Sequence, residues 1–184
     1  MLGEHIRIDV DAELQLRALE LEHAPALFDC VEQNRAHLRR WLLWVDTTKS
    51  QSDIEAFLGS EVVKWRKGTA AGYAVFHNAQ LCGVAGFNQL DRENALGEIG
   101  YWLAKSHTGQ GIMKRTTNAL CAHGFNQLGL KRIEIRCATG NAASRRVAEG
   151  VGAKFERIEE AAAVLNGASV DHAVYALGRA APNV

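Results

Sequence analysis

"EIGYWLAKSHTGQGIMKRTTNAL" (residues 98–120) passes from tight apolar text through Gly109 and Gly111 into a pattern of helical period. Met113, Thr117, Leu120, Cys121, Gly124, Phe125 and Leu128 fall on one helical face, which predicts a helix stopped by Gly129. The preceding "ALGEIGYWLA" predicts a strand. Strand, Gly-x-Gly, helix is an order that presents unpaired backbone N–H groups and a positive helix end to an anion. A side chain at either glycine would hold that anion away from the backbone. An ordinary strand-to-helix turn has the same spelling. A dinucleotide-binding unit fits less well, because the full G-x-G-x-x-G is missing and the motif lies past the middle of the chain. A pyrophosphate of another kind is the better match.

Downstream, "RIEIRCAT" alternates Ile133, Ile135 and Cys137 with charged residues and predicts a strand. A short helix from Asn141 to Glu149 follows, then strands around Lys154 to Ile158 and Val170 to Leu177. Upstream, "GYAVFH" and "QLCGVAGFNQL" predict a hairpin turning at Asn78-Ala79, covered on both faces. Ala24, Leu27, Phe28, Val31 and Leu38 recur at helical spacing, predicting a helix from Glu22 to near "RRWLLW". A second helix carries Ile54, Phe57, Leu58, Val62 and Trp65, with Ser52 and Asp53 as caps and Gly68 as its stop. The opening "HIRIDV" and "AELQLRALE" read as strand, turn, strand.

The whole, residues 1–184, reads as one α/β domain with no linker, ending in a frayed tail at 179–184. Lys plus Arg and Asp plus Glu each total 21, so a broad nucleic-acid footprint is not indicated. Cys30, Cys82, Cys121 and Cys137 are scattered, without the spacing of a metal site or a disulfide framework. No metal is expected. The absence of a long apolar run argues against a membrane span or signal peptide and for the cytoplasm.

The succession "EIGYWLAKSHTGQGI", a helix, "KRIEIRCATGNAASRRVAEGVGAKFE" and "LNGASVDHAVYAL" resembles the GCN5-related N-acetyltransferases (GNAT), and within them the RimL-type branch of ribosomal-protein N-terminal acetyltransferases. The similarity extends to the early "NRAHLRRWLLW" and covers nearly the whole chain. It implies a mixed sheet splayed at one strand, with acetyl-CoA as co-substrate wedged into the opening. Its pyrophosphate would sit on the loop of His107, Thr108, Gly109, Gln110, Gly111, Ile112 and Met113, and its pantetheine arm along Tyr101, Trp102 and Leu103. The family's loop is commonly Gln/Arg-x-x-Gly-x-Gly/Ala, whereas Thr108, Gly111 and Met113 hold the defining positions here. A side-chain contact is lost, but binding through the backbone should survive.

Acetyl transfer to an amine needs an unprotonated nucleophile, an oxyanion stabiliser and a proton for the departing thiolate. An α-amine, with an ordinary pKa of roughly 7.7–8.0, is partly neutral near pH 7.5, whereas a lysine near 10.4 is almost all charged. Asn141 and Ser144 lie three apart at a predicted helix start, the spacing of an N-cap and a first-turn hydroxyl. The resemblance implies instead that Asn141 lies beside the pantetheine and that Ser144 protonates the coenzyme A sulfur. Glu98, expected on one strand face with Leu96, Gly100 and Trp102, is the candidate base if apolar neighbours raise its pKa, and a structural ion pair with an arginine if they do not. Trp41 and Trp44 fall where the family builds its acceptor cleft; tryptophans so close together also serve as core or interface. The implied activity is N-acetylation of a protein N-terminus or a small-molecule amine, the alternative being a catalytically weak acyl-CoA-binding module. The sequence fixes neither the acceptor nor the oligomeric state, and the pooled apolar residues in "RRWLLW" are compatible with a homodimer.

Overall fold

A computed structural model describes residues 6–165 and 167–179. Strands β1 (Arg7–Asp9) and β2 (Leu14–Ala18) open the chain, followed by a 3-10 turn at Leu21–His23 and helices α1 (Ala24–Leu38), α2 (Trp44–Thr47) and α3 (Gln51–Lys67). Then come β3 (Ala71–His77), β4 (Gln80–Asp91), β5 (Leu96–Leu103), a second 3-10 turn at Lys105–His107, α4 (Ile112–Asn126), β6 (Arg132–Ala138), α5 (Ala142–Gly150), β7 (Lys154–Leu165) and β8 (Ala168–Gly178). The strands form one mixed sheet in the order β1-β2-β3-β4-β5-β6-β8-β7. Every pairing is antiparallel except β5 with β6.

Each sheet face has its own core. On one, Phe87, Ile99, Ile133 and Tyr175 pack with Ile112, Leu120 and Leu130 of α4 and its flank. On the other, Ala74, Leu81 and Trp102 meet Leu27, Val31, Leu38, Ile54 and Leu58 of α1 and α3. Close packing dictates small residues where helix meets strand: a Cβ on Gly97 would lie 2.6 Å from Leu130 Cδ1, and one on Gly124 2.8 Å from Phe87 Cζ.

Several sequence expectations need correction. The first helix begins at Ala24, after the 3-10 turn, where Glu22 was expected; it ends at Leu38, beside "RRWLLW" as expected, and Arg35 folds the chain back into α2 by donating to the Thr48 carbonyl at 2.7 Å and to that of Val45. The cap of α3 is Ser50, with Asp53 completing its capping box; Gly68 ends it at φ 68° as expected. Helix α4 ends at Asn126, and Gly129 (φ 71°) lies in the following turn. The final hairpin is longer than the sequence suggests. Asn78 and Ala79 form the β3–β4 turn, with φ of 48° and 62°. Arg179 is still tied to the sheet, its N–H donating to the Lys131 carbonyl at 3.0 Å, and the rest of the expected tail, 180–184, lies outside the described residues. Among the described residues no helix is long and apolar enough to cross a membrane, and no three metal-ligating side chains converge.

Candidate active site

The sheet opens between β5 and β6. Their parallel pairing runs from Leu96 with Arg132 to Ile99 with Ile135 and stops, although β5 continues to Leu103 and β6 to Ala138. The edge of β5 from Gly100 to Leu103 therefore faces a wedge with its backbone free on that side, as an added strand requires.

At the end of the wedge lies the glycine loop. Gly109 and Gly111 have φ of 76° and 71°, a region that costs any other residue, and Gly111 is the N-cap residue of α4. A Cβ on either would meet nothing within 4 Å, so the glycines answer to backbone conformation, where the sequence suggested crowding. Among the described residues the N–H groups from Gly109 to Lys114 meet no acceptor, whereas Arg115 N–H closes the first helical turn on the Gly111 carbonyl at 3.0 Å. Such a run of convergent donors at a helix start is an anion cradle. Ile112 and Met113 bury their side chains in the core and offer the loop only their backbone. Thr108 Oγ1 donates to the Lys105 carbonyl at 2.7 Å and Gln110 Nε2 to that of Ser106 at 2.8 Å, so both side chains shape the loop. His107 Nδ1 lies 3.0 Å from Ser106 Oγ, and burial beside His77 lowers its pKa. Asn34 of α1, the first residue of the "NRAHLRRWLLW" segment that carries part of the resemblance, anchors the loop by accepting from Lys105 N–H at 2.8 Å.

Across the wedge, Tyr101 bridges β5 to α5: its hydroxyl lies 3.1 Å from Ser144 Oγ and donates to the Ser144 carbonyl at 3.1 Å. Burial pushes the Tyr101 phenol far above its ordinary pKa. Asn141 Oδ1 accepts from Ser144 N–H at 3.1 Å, the N-cap its spacing suggested. Cys137 faces Ser144 and its thiol is raised by burial. Ser144 Oγ is thus held at the opening, close to the free edge of β5.

On the face bearing α1 and α3, Glu98, Gly100 and Trp102 lie in line along β5. Gly100 leaves the space between carboxylate and indole to the Asn88 side chain, whose amide nitrogen fills the place a Cβ would take. A β-bulge in β4 between Phe87 and Gln89 puts Asn88 there and Gln89 opposite Glu98. Trp44 packs on Trp102 with ring centroids 6.0 Å apart, and Trp41 reaches the β6–α5 turn at Gly140. Trp44 and Trp102 thus pack together toward one end of this face of β5, while the Trp102 backbone faces the wedge.

Glu98 lies toward the other end of this face of β5, and its setting combines the two alternatives read from sequence, burial and an arginine partner. Arg136 Nε lies 3.2 Å from its carboxylate, and Arg136 is shared with Glu134 at 2.8 Å and Glu159 at 3.1 Å. Burial nonetheless raises the Glu98 pKa above its ordinary value, with Arg136 opposing and Glu134 and Glu159 adding to it. Beside it is a cleft of about 60 Å³ lined by Gln89, Asp91, Leu96, Glu98, Glu134 and Arg136. Glu134 itself is held below its ordinary value: burial alone would raise it, but Arg132 and Arg136 outweigh that.

A free strand edge beside an anion cradle fits a ligand with an amide-bearing arm and a diphosphate, which is the anatomy of coenzyme A. The profile of the acetyltransferase (GNAT) domain matches residues 13–154. The chain is 32% identical over 169 residues to the ribosomal-protein-serine acetyltransferase of Escherichia coli K12, covering 92% of this chain and 94% of that one. The structure of RimL, a ribosomal L7/L12 α-N-protein acetyltransferase, in complex with coenzyme A superposes with a TM-score of 0.91 at 33% identity, covering 94% of this chain and 98% of the other. The microcin C7 self-immunity acetyltransferase MccE, solved with acetyl-CoA and AMP, gives a TM-score of 0.90 at 27% identity, covering 94% and 96%. With the wedge, the loop and the matched domain in agreement, this chain belongs to the GNAT family and is an acetyl-CoA-dependent N-acetyltransferase.

Proposed function

We propose that the acceptor is the α-amine of a protein N-terminus, that Glu98 is the base and that Ser144 is the acid. The observation that carries this reading is the order of side chains along one face of β5: a raised carboxylate toward one end, tryptophans toward the other, and an amide side chain over Gly100 between them. An amide there can hydrogen-bond a peptide backbone, while indoles accept varied side chains. Relatives named for acetylating ribosomal proteins support the same acceptor. The MccE likeness, at lower identity, supports a small-molecule amine as the second reading. Reduced, buried cysteines agree with a cytoplasmic enzyme.

Acetyl-CoA supplies an acyl group on a thiol leaving group. This face of β5 presents the amine to the wedge, where Glu98 takes its proton, directly or through one water, as the new C–N bond forms. Backbone N–H groups at the opening stabilise the oxyanion. Ser144 Oγ donates a proton to the departing sulfur as the C–S bond breaks, and accepts one in turn from the Tyr101 hydroxyl or solvent. The test is a mass-spectrometric acceptor screen of peptides with free and blocked N-termini alongside small amines. Acetylation confined to small amines would overturn the peptide reading.

Two further results are expected. Acetyl-CoA at a hundredfold excess over Kd should stabilise the fold by about 2.7 kcal/mol, read as a raised Tm, whereas NAD should not. Glu98→Gln should lower kcat by roughly tenfold, a modest loss because an α-amine is already partly neutral near pH 7.5. The raised pKa of Glu98 makes the wild-type rate decline, as pH falls, from a higher pH than an ordinary glutamate would give. The variant should lose that acid limb and keep only the titration of the amine. A pH–rate profile unchanged in shape would remove Glu98 from the role.

A further inference from the structure

Arg136 of β6 serves three carboxylates from three strands. Its Nε lies 3.2 Å from Glu98 on β5, its Nη2 2.8 Å from Glu134 on its own strand, and its Nη1 3.1 Å from Glu159 on β7. Topology brings them together. Parallel register sets Glu98 level with Glu134, and Arg136, on the same face of β6 as Glu134, reaches back to both. Val174, opposite Arg136 on the intervening β8, is fully buried, and the guanidinium passes it to meet Glu159.

The three carboxylates are not equally provided for. Glu134 has Arg132 as well, at 2.7 Å, and Glu159 has Arg157, also at 2.7 Å. Among the described residues Glu98 is ion-paired to Arg136 alone. Asp91 and Gln89 of β4 face Glu98 across the cleft, and His172 of β8, opposite Glu159, completes its charged surroundings. The neighbouring pair Glu98 and Glu134 shows what the sharing does. Burial acts on both, yet Glu134, between two arginines, is held below its ordinary pKa, and Glu98, with part of one, stays above it.

We propose that Arg136 is the positioning residue for Glu98: it holds the carboxylate in place, and the part of its charge that Glu134 and Glu159 leave over sets the pH at which Glu98 takes up a proton. A whole guanidinium would make Glu98 a weak base, and none would leave a half-buried carboxyl too ready to stay protonated. A divided one places it between. The functional consequence rests on Glu98 being the base.

Carboxyl carbon-13 NMR of glutamate-labelled protein reads the titration of Glu98 without any acceptor, its signal being the one missing from Glu98→Gln. Arg136→Gln removes the cation and should move that titration up by about one pH unit. Glu159→Gln removes a competitor, leaves Arg136 more fully to Glu98, and should move it down by about half a pH unit. Arg136→Lys keeps the charge and should bring the titration back toward that of the wild type. The opposite signs are decisive, because a site merely loosened or opened to water would shift the same way in both glutamine variants. Circular dichroism confirms that each variant is folded, and Glu159→Gln, on the edge strand, keeps the test open should Arg136→Gln not fold. A Glu98 titration unmoved in a folded glutamine variant, moved alike in both, or no nearer the wild type in Arg136→Lys than in Arg136→Gln would each overturn the proposal. The base reading fails separately: titrations that move as expected, with an acid limb of kcat that does not follow them on a peptide with a free N-terminus, would leave Arg136 its place and take the proton transfer from Glu98.

Discussion

Ser144→Ala should lower kcat on the order of 10²-fold while leaving acetyl-CoA affinity and Tm nearly unchanged. The start of α5 does not depend on the hydroxyl. Asn141 accepts from the Ser144 N–H, and Tyr101 still donates to the Ser144 carbonyl. Alanine is moreover the better helix former. What disappears is the proton donor at the opening. A thiolate with an ordinary pKa near 8.5 leaves tolerably unaided, which sets the loss at the low end of the usual range for acid–base assistance. Tyr101 is the natural rival for the proton, since its hydroxyl lies 3.1 Å from Ser144 Oγ. Burial raises the Tyr101 pKa, however, which weakens it as a direct acid, so Tyr101→Phe should cost less than Ser144→Ala. Turnover, coenzyme binding and melting measured on the same preparations separate these cases. Near-wild-type turnover in Ser144→Ala with a large loss in Tyr101→Phe would hand the role to the phenol.

What the sequence discloses about this fold is local, and what it withholds is contact across the chain. The alternation of Ile133, Ile135 and Cys137 is a property of one strand, and it matches β6 because one face of that strand is buried against α4 and α5. Gly109 and Gly111 are legible for the same reason, since a left-handed residue before a helix selects glycine wherever it occurs. The fold-back that follows α1 is not local. Apolar spacing carries on through Trp41 and Leu42, but Arg35 reaches carbonyls ten and thirteen residues onward, a contact no periodicity encodes. Glu98 is the sharper case. Its strand neighbours suggest an apolar site, yet its surroundings are set by parallel pairing with β6, which aligns it with Glu134 and brings up Arg136. The bulge that lays Asn88 over Gly100 is likewise a register event in β4, visible only once β4 and β5 are paired. Ser144 and Tyr101, 43 residues apart, meet only because the sheet opens between β5 and β6.

Gly111→Val should weaken coenzyme A by on the order of 10²-fold, through its diphosphate. Valine at φ 71° sits where β-branched residues are strained by about 1–3 kcal/mol, so the loop must either bear that strain or turn its N–H groups out of convergence. Relaxation is the easier course. A Cβ there meets nothing within 4 Å, and the side chains that define the core next to it, Ile112 and Met113, belong to α4 and stay buried. The loop can therefore shift without unpacking the sheet, and Tm should fall by only a few degrees. The cradle is what suffers, because the donors from Gly109 to Lys114 address an anion only while Gly111 holds them on one side. The β5 edge that receives the pantetheine arm is a separate element, fixed by its pairing with β4. Affinity should consequently fall for full coenzyme A and hold for a pantetheine fragment lacking the diphosphate, read by calorimetry on wild type and variant. Equal losses for both ligands would place the diphosphate elsewhere, and an unchanged affinity for coenzyme A would show that the loop binds without its left-handed glycine.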